Sequence, residues 1–442
     1  MSKDDPRTVL EFLIRRSDHT YSELAKQFDS LARTMGVKAT ISDRHLRRLA
    51  SGKSTGEHHP ATRRVLQRMF GRPIDELLTP WDPQNEISPV HESNELDVTS
   101  GQIVTHSVKG AISMAAQRAR QFAMKAGQVG LTAEALDQLR EDVHELALAY
   151  PQRPLSEVLG DLVNVQDLLF SLLEQRQRPQ QASDLYFLAG VTGGMLAKAS
   201  HDLAEPQAAM TQARTAFLCA DTAGHDGLRA WIRGLQSLIT YWAGRPNESI
   251  RYAQSGSDFA ARARNSSMVW LAMNEARSWA ALGNAQKTTE AIQNAEHAWG
   301  QVVPDDMDEL GGIATFTQPR QLYYAADALT WLPSEAIDAE RYSIQAVEAY
   351  SDPARPEWAF GDQAGSHSDL AIARVLRGEL DGAAEALGTV LALPPEQRIN
   401  GVIHSVQRVH QVLTKAPEAH VSRDLQEQIE FFTHTPVKAL PR

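Results

Sequence analysis

Cysteine is almost missing: Cys219 is the single one in 442 residues. One thiol closes no intramolecular disulfide and builds no cysteine-based zinc site, which excludes a disulfide-stapled secreted scaffold and points to a reducing cytoplasm. Long apolar runs are missing as well. No stretch approaches about 18 uninterrupted apolar residues, so no membrane partner is expected, and the opening MSKDDPRTVLEFLIRR carries acids where a secretory signal needs a basic start. Strand-like alternation is absent, and so are the common catalytic constellations. Gly52-Lys53-Ser54 ends like a phosphate-binding loop, but Arg47 stands where that loop's first glycine belongs. His144-Glu145 has no second histidine at the zinc-protease spacing, and His58-His59 has no further ligands nearby. Gly365-Ser366-His367 lacks the glycine frame of a nucleophile elbow. Cys219, set among Ala and Leu, reads as core, and Asp305-Asp306 as a solvated loop. These gaps predict a protein that is not an enzyme and needs neither metal nor cofactor.

What the chain does have is a globular composition, 42% hydrophobic and 22% charged. Its length suits two or three domains, or one extended repeat array. The formal net charge of -11 argues against nucleic acid for the whole, but the charge is unevenly spread. Residues 1–80 hold 15 Lys and Arg against 10 Asp and Glu, net +5, which leaves net -16 for the remainder. Between Leu31 and Arg72 ten basic residues face only two acids, Asp43 and Glu57.

The basic part reads as five short helices. Thr8 caps a helix with Val9, Leu10, Leu13 and Ile14 at helical spacing, ending near Arg16. Thr20-Tyr-Ser-Glu23 is a capping box for a second, carrying Leu24, Ala25, Phe28, Leu31, Ala32 and Met35 up to Gly36. Ser42 caps a third that runs through Ala50, with Gly52 as its left-handed stop, and Pro60 and Pro73 open a fourth and a fifth. At 100° per residue the third helix turns Leu46, Leu49 and Ala50 inward, Arg44 and Arg48 outward, and His45 and Arg47 to the flanks. An apolar back and an arginine-rich front are what a major-groove helix needs, because the guanidinium fork matches guanine O6 and N7. Arg44 and Arg48 are the base-contact candidates. Lys53, Arg63, Arg64 and Arg68 are the phosphate candidates, with the start of the second helix at Thr20 and Tyr21. Alone, such a helix would read as a solvated face; five matched helices and a concentrated basic patch favour DNA.

The segment ISDRHLRRLASGK, followed by HPATRRVLQRMFGRPIDELL, resembles the N-terminal domain of the XRE-family (Cro/C1-type) helix-turn-helix regulators of antibiotic-producing soil bacteria. In that family the first residues of the third helix enter the major groove, which implies that role for Ser42, Arg44, His45, Arg47 and Arg48. The stretch from Tyr21 to Ser42 is longer than the compact turn of the family's simplest members.

Residues 81–105 read as a linker: from Pro80 to Gln102 the chain is rich in Pro, Asn, Ser and acids and has little periodicity. Residues 106–442 are helical throughout, with Gly and Pro as punctuation. WIRGLQSLITYWAGRPNESIRYA, from Trp231, aligns at an offset of 39 with WLAMNEARSWAALGNAQKTTEAI, from Trp270, and helices break in both at Gly244 and Gly283. Further breaks fall near Ala204, Leu332 and Gly378. A helix, a tight turn and a second helix recurring every 40 to 50 residues predict a tetratricopeptide-like α-solenoid with a concave binding surface.

The expected fold is therefore all-α: an N-terminal five-helix helix-turn-helix domain (1–80), the linker, and a tetratricopeptide-like array (106–442) for sensing and dimerisation. This architecture resembles the peptide-pheromone-responsive regulators, which hold short peptides inside the array, often through Asn side chains. The resemblance implies a signalling peptide or protein ligand, with Arg233, Gln236, Trp270, Asn274 and Tyr324 as candidate contacts. A homodimer on a palindromic double-stranded DNA operator is expected, since one head offers few base contacts. The alternative is a scaffold that binds no DNA and captures or inhibits a partner protein.

Overall fold

The computed structural model describes residues 6–16, 20–34, 39–52, 60–70, 74–79, 131–415 and 423–434, so the linker 81–105 and residues 106–130 lie outside the described residues. The chain divides into two compact units, Met1–Gly110 and Ala111–Arg442. Every described element is helical and no strand occurs among the described residues.

The first unit contains α1 (Val9–Arg16), α2 (Tyr21–Thr34), α3 (Asp43–Ala50), α4 (Pro60–Phe70) and α5 (Ile74–Leu77). The expected caps form. Glu23 N–H donates to Thr20 Oγ1 (3.3 Å) and Thr20 N–H donates back to Glu23 Oε2 (2.7 Å). Thr8 does two tasks: its Oγ1 accepts from Glu11 N–H at the start of α1, and its hydroxyl donates to the Ala50 carbonyl at the end of α3 (2.6 Å). Gly52 follows at φ +67°, the left-handed stop. Leu10, Phe28, Leu46, Leu49, Val65, Leu66 and Leu77 form the core around which these helices pack.

The second unit is a stack of antiparallel helix pairs. They are α6 (Ala133–Ala149) with α7 (Leu155–Leu173), α8 (Pro179–Asp202) with α9 (Pro206–Ala223), α10 (Asp226–Trp242) with α11 (Pro246–Ala263), and α12 (Ser267–Ala281) with α13 (Ala285–Trp299). After the single turn α14 (Asp306–Glu309) come α15 (Gln318–Leu329) with α16 (Ala336–Ala349), α17 (Phe360–Leu376) with α18 (Leu380–Leu391), and α19 (Asn400–Leu413) with α20 (Arg423–Thr433). The sequence breaks at Ala204, Gly244, Gly283, Leu332 and Gly378 all fall between the two helices of a pair. Four of them share one turn, in which the residue at positive φ bonds three back and its successor five back: Glu205 N–H to Ser200, Arg245 to Thr240, Asn284 to Trp279, Glu379 to Arg374.

The first helices of successive pairs touch along the inner side, and glycines let them approach. A Cβ on Gly194 would lie 2.1 Å from the Trp231 ring, and one on Gly234 would lie 2.6 Å from the Trp270 ring. Each tryptophan therefore seats on bare backbone of the preceding inner helix. Residues 300–317, between α13 and α15, fold back into this inner side. Trp231 Nε1 donates to the Ile313 carbonyl (3.3 Å), Ser266 Oγ bonds Asp308, and a Cβ on Gly312, at φ +53°, would meet the Ala147 carbonyl of α6. Asp305, expected as a solvated acid, caps α14 and receives both an Asn265 amide bond and the Met307 and Asp308 N–H groups, because this segment docks on the turn after α11. The array then closes on itself, since α8 touches α19, and Phe360 N–H donates to the Pro151 carbonyl (3.2 Å).

Candidate functional site

On α3 the helical geometry separates two faces. Leu46, Leu49 and Ala50 are fully buried, while Ser42, Arg44, His45, Arg47 and Arg48 are exposed. Ser42 Oγ accepts from His45 N–H (3.2 Å), which holds the first turn of α3. Neither guanidinium of Arg44 and Arg48 bonds another described residue, so both arms are available for a groove. Arg47 is differently used: its guanidinium lies 4.5 Å from the centre of the Tyr21 ring, with Asp43 3.9 Å away, and so braces α3 against the start of α2. That start already holds a carboxylate, Glu23, on the Thr20 amide, so a phosphate there would have to displace it. Arg63 and Arg64 are exposed on α4, whereas Lys53 and the Arg68 side chain lie outside the described residues.

In the array, the five ligand candidates fall into two groups. Trp270 and Tyr324 share one pocket of about 90 Å³ with Leu235, Arg320 and Phe360. Trp270 stacks on Phe316 at 6.3 Å, and Tyr324 meets Phe316 edge-on at 5.2 Å. Asn274 supports this group from behind: its Nδ2 donates to the Gly234 carbonyl (3.2 Å), locking α12 to α10, and it is buried. Arg233 and Gln236 pair with each other instead (Nη1 to Oε1, 2.8 Å), and the Arg233 guanidinium covers the Phe217 ring of α9 at 3.8 Å. Burial pulls the Arg233 guanidinium below its usual pKa.

The most densely charged part of the inner side escaped sequence reading. Asp327 on α15 accepts from Arg277 of α12 and Arg408 of α19, and from the Tyr241 hydroxyl of α10 (3.0 Å). Burial works to raise the Asp327 carboxyl, but the two guanidiniums overcome it and hold it below the carboxylate range. Arg277 is 1% exposed and lies over the rings of Tyr241 (4.3 Å) and Tyr324 (4.2 Å). Beside it Asp369 of α17 is also buried, with Oδ2 unbonded. Burial and the Asp327 charge push its carboxyl well above the usual range, against Arg408 and Arg277. Burial likewise depresses His201 on α8 and His404 on α19. Two further pairs border the pocket: Lys198 with Asp202, whose Oδ2 also accepts from Tyr150 (2.8 Å), and Arg320 with Asp362 (2.7 Å). A signal was present in the sequence, because Asp202, Tyr241, Arg277, Asp327, Asp369 and Arg408 recur once per inner helix.

Among the described residues no group of three or more His, Cys, Asp and Glu could hold a metal ion, and no described helix is long and apolar enough to cross a membrane. Cys219 is buried, and burial pushes its thiol up.

No protein-family model matches the chain, and no curated protein sequence matches it. Among solved structures, the crystal structure of Rap protein complexed with competence and sporulation factor aligns at a TM-score of 0.38 and 10% identity, covering 68% of this chain and 96% of that one. The chain is an all-α helical-repeat protein with a small helical head.

Proposed function

We propose that the chain is a DNA-binding transcriptional regulator whose helical-repeat array dimerises and senses a ligand. The observation that supports the DNA half is the division of α3: a fully buried apolar back, a Ser42-capped first turn, and in front the exposed guanidiniums of Arg44 and Arg48, which bond no other described residue. Direct readout of guanine by each bidentate arginine is worth about 1–3 kcal/mol. Two heads on a palindrome, half-sites about 34–36 Å apart, would multiply those few contacts. The array's part in this reading is conformational: a ligand that prefers one curvature would shift head spacing by its differential affinity. No chemical step, metal or cofactor is assigned to it.

A second reading, a scaffold that captures a partner protein without touching DNA, draws on a different observation. Between α6 and α7 runs a groove of about 590 Å³ lined by Leu146, Val158 and Val165 and by more acids, Glu145, Glu157 and Asp161 among them, than bases, Arg153. That chemistry suits a basic amphipathic helix. This reading stands on the groove, the first on α3. An electrophoretic shift series with the full chain separates them. The regulator reading predicts a shift at low salt that weakens steeply as salt rises, and that loses sequence preference in Arg44→Ala with Arg48→Ala; the scaffold reading predicts no shift at any salt.

A further inference from the structure

The pocket shared by Trp270 and Tyr324 lies where the array closes. Tyr150 and Pro151 from the first pair and Phe360 and Ile399 from the last part of the array line it together, so an occupant would bridge the two ends. Its volume of about 90 Å³ is small. At roughly 10–15 Å³ for each water-sized group, it holds on the order of six to nine heavy atoms. A nucleotide or an extended peptide is too large for it.

The charges on its wall restrict the occupant further. Lys198 and Arg320 are balanced by Asp202 and Asp362, and all four line the pocket. The pairs are not saturated. Arg320 uses Nε on Asp362 and Nη1 on the Thr315 carbonyl, leaving Nη2 without a partner among the described residues, and Lys198 spends two bonds on Asp202. Asp362 accepts from Arg320 and Tyr350 through Oδ2, leaving Oδ1 unbonded among the described residues. Spare donors and a spare acceptor thus border one apolar chamber. The two pairs are already neutral, so an occupant with a single charge would add an uncompensated charge to the site, whereas a zwitterion adds none and can use both the spare donors and the spare acceptor.

We propose that this pocket binds one free apolar α-amino acid of about leucine's size, its carboxylate toward Arg320 and Lys198 and its ammonium toward Asp362. The inference rests on the ligand-sensing half of the function proposed above and names the class of ligand. The side chain would lie against Leu235, Trp270 and Tyr324, where the apolar wall is continuous. Occupancy would hold the first and last pairs of helices together, favouring the closed array.

Calorimetric titration and thermal unfolding of the full chain with L-leucine, N-acetyl-L-leucine, L-leucinamide, glycyl-L-leucine and L-leucylglycine test it. L-leucine is expected to saturate one site and raise Tm. Each blocked analogue, lacking one charge, is expected to bind at least tenfold more weakly, and both dipeptides to fail for size. Ala359→Leu, which fills the chamber from its wall, should abolish binding while the chain still unfolds cooperatively. If that variant does not fold, Arg320→Lys, which keeps the charge but loses the fork, should weaken L-leucine at least tenfold. Equal affinity for leucine and its blocked analogues, unchanged binding in a folded Ala359→Leu or Arg320→Lys chain, or no response of the wild type to leucine overturns the proposal. A dipeptide that binds where leucine does not overturns the amino-acid assignment while sparing the ligand-sensing reading, and the DNA shift is measured independently of both.

Discussion

Asp327 of α15 joins four inner helices through one carboxylate: Oδ2 receives Arg277 from α12 and Tyr241 from α10, and Oδ1 receives Arg408 from α19. Arg277 is out of solvent and Arg408 largely so, and the carboxylate is what makes their burial tolerable. Asp327→Asn removes the carboxylate that both guanidiniums bond, and is expected to cost about 3–5 kcal/mol. Chemical denaturation checks it, and a loss under about 1 kcal/mol would show that the ion cluster does not hold the array closed.

Asp369 predicts a pH dependence. Its carboxyl is raised by burial first and by the Asp327 charge second. The fold therefore keeps a proton that the unfolded chain has released. The stability this supplies is complete below the unfolded pKa of about 4 and is lost as pH rises through the raised folded value. Asp369→Asn, which mimics the protonated form, should gain on the wild type as pH rises above about 4, by up to about 1.4 kcal/mol per pH unit until the raised folded value is passed. Parallel Tm profiles for the two proteins would contradict this.

Ala204 occupies at φ +61° the turn position that Gly244, Gly283 and Gly378 occupy elsewhere in the array. A non-glycine residue there is strained, so Ala204→Gly is expected to stabilise the chain by about 0.5–1 kcal/mol even though glycine is the more flexible residue when unfolded. Thermal unfolding reads the sign, and a lower Tm would refute the strain argument.

Gly194→Ala probes the approach of α8 and α10. The added Cβ would lie 2.1 Å from the Trp231 ring, and that ring is 1% exposed and cannot withdraw. A loss of about 1–3 kcal/mol is expected from overpacking, measured by denaturant titration; Gly224→Ala, with open space but φ +71°, should lose only the net backbone cost of about 0.5–1 kcal/mol and keep the near-ultraviolet signal of the tryptophans.

Much of the fold was legible from local rules. Thr20 with Glu23, and Ser42, announced helix starts because a side-chain oxygen satisfies an orphan amide within three residues. The inner and outer faces of α3 followed from its 3.6-residue period. The repeat turns showed wherever glycine or proline punctuated them. The inner side did not show, because its partners are distant in sequence: Arg277, Asp327 and Arg408 meet only once the stack curls. Nor did the bonds of the ligand candidates: Asn274 donates to the Gly234 carbonyl of another helix, and Arg233 and Gln236 engage each other. The insertion at 300–317 also stretched one interval of the repeat to 50 residues, Arg277 to Asp327, and blurred the period there.

The central claim is that α3 reads DNA. Selection of random duplexes by the full chain tests it most directly. The account predicts enrichment of a palindrome whose half-sites lie about 10–10.5 bp apart, lost when Arg44→Ala and Arg48→Ala are combined in a chain that still unfolds cooperatively. No enrichment at low salt, or an unchanged motif from the double variant, would contradict it.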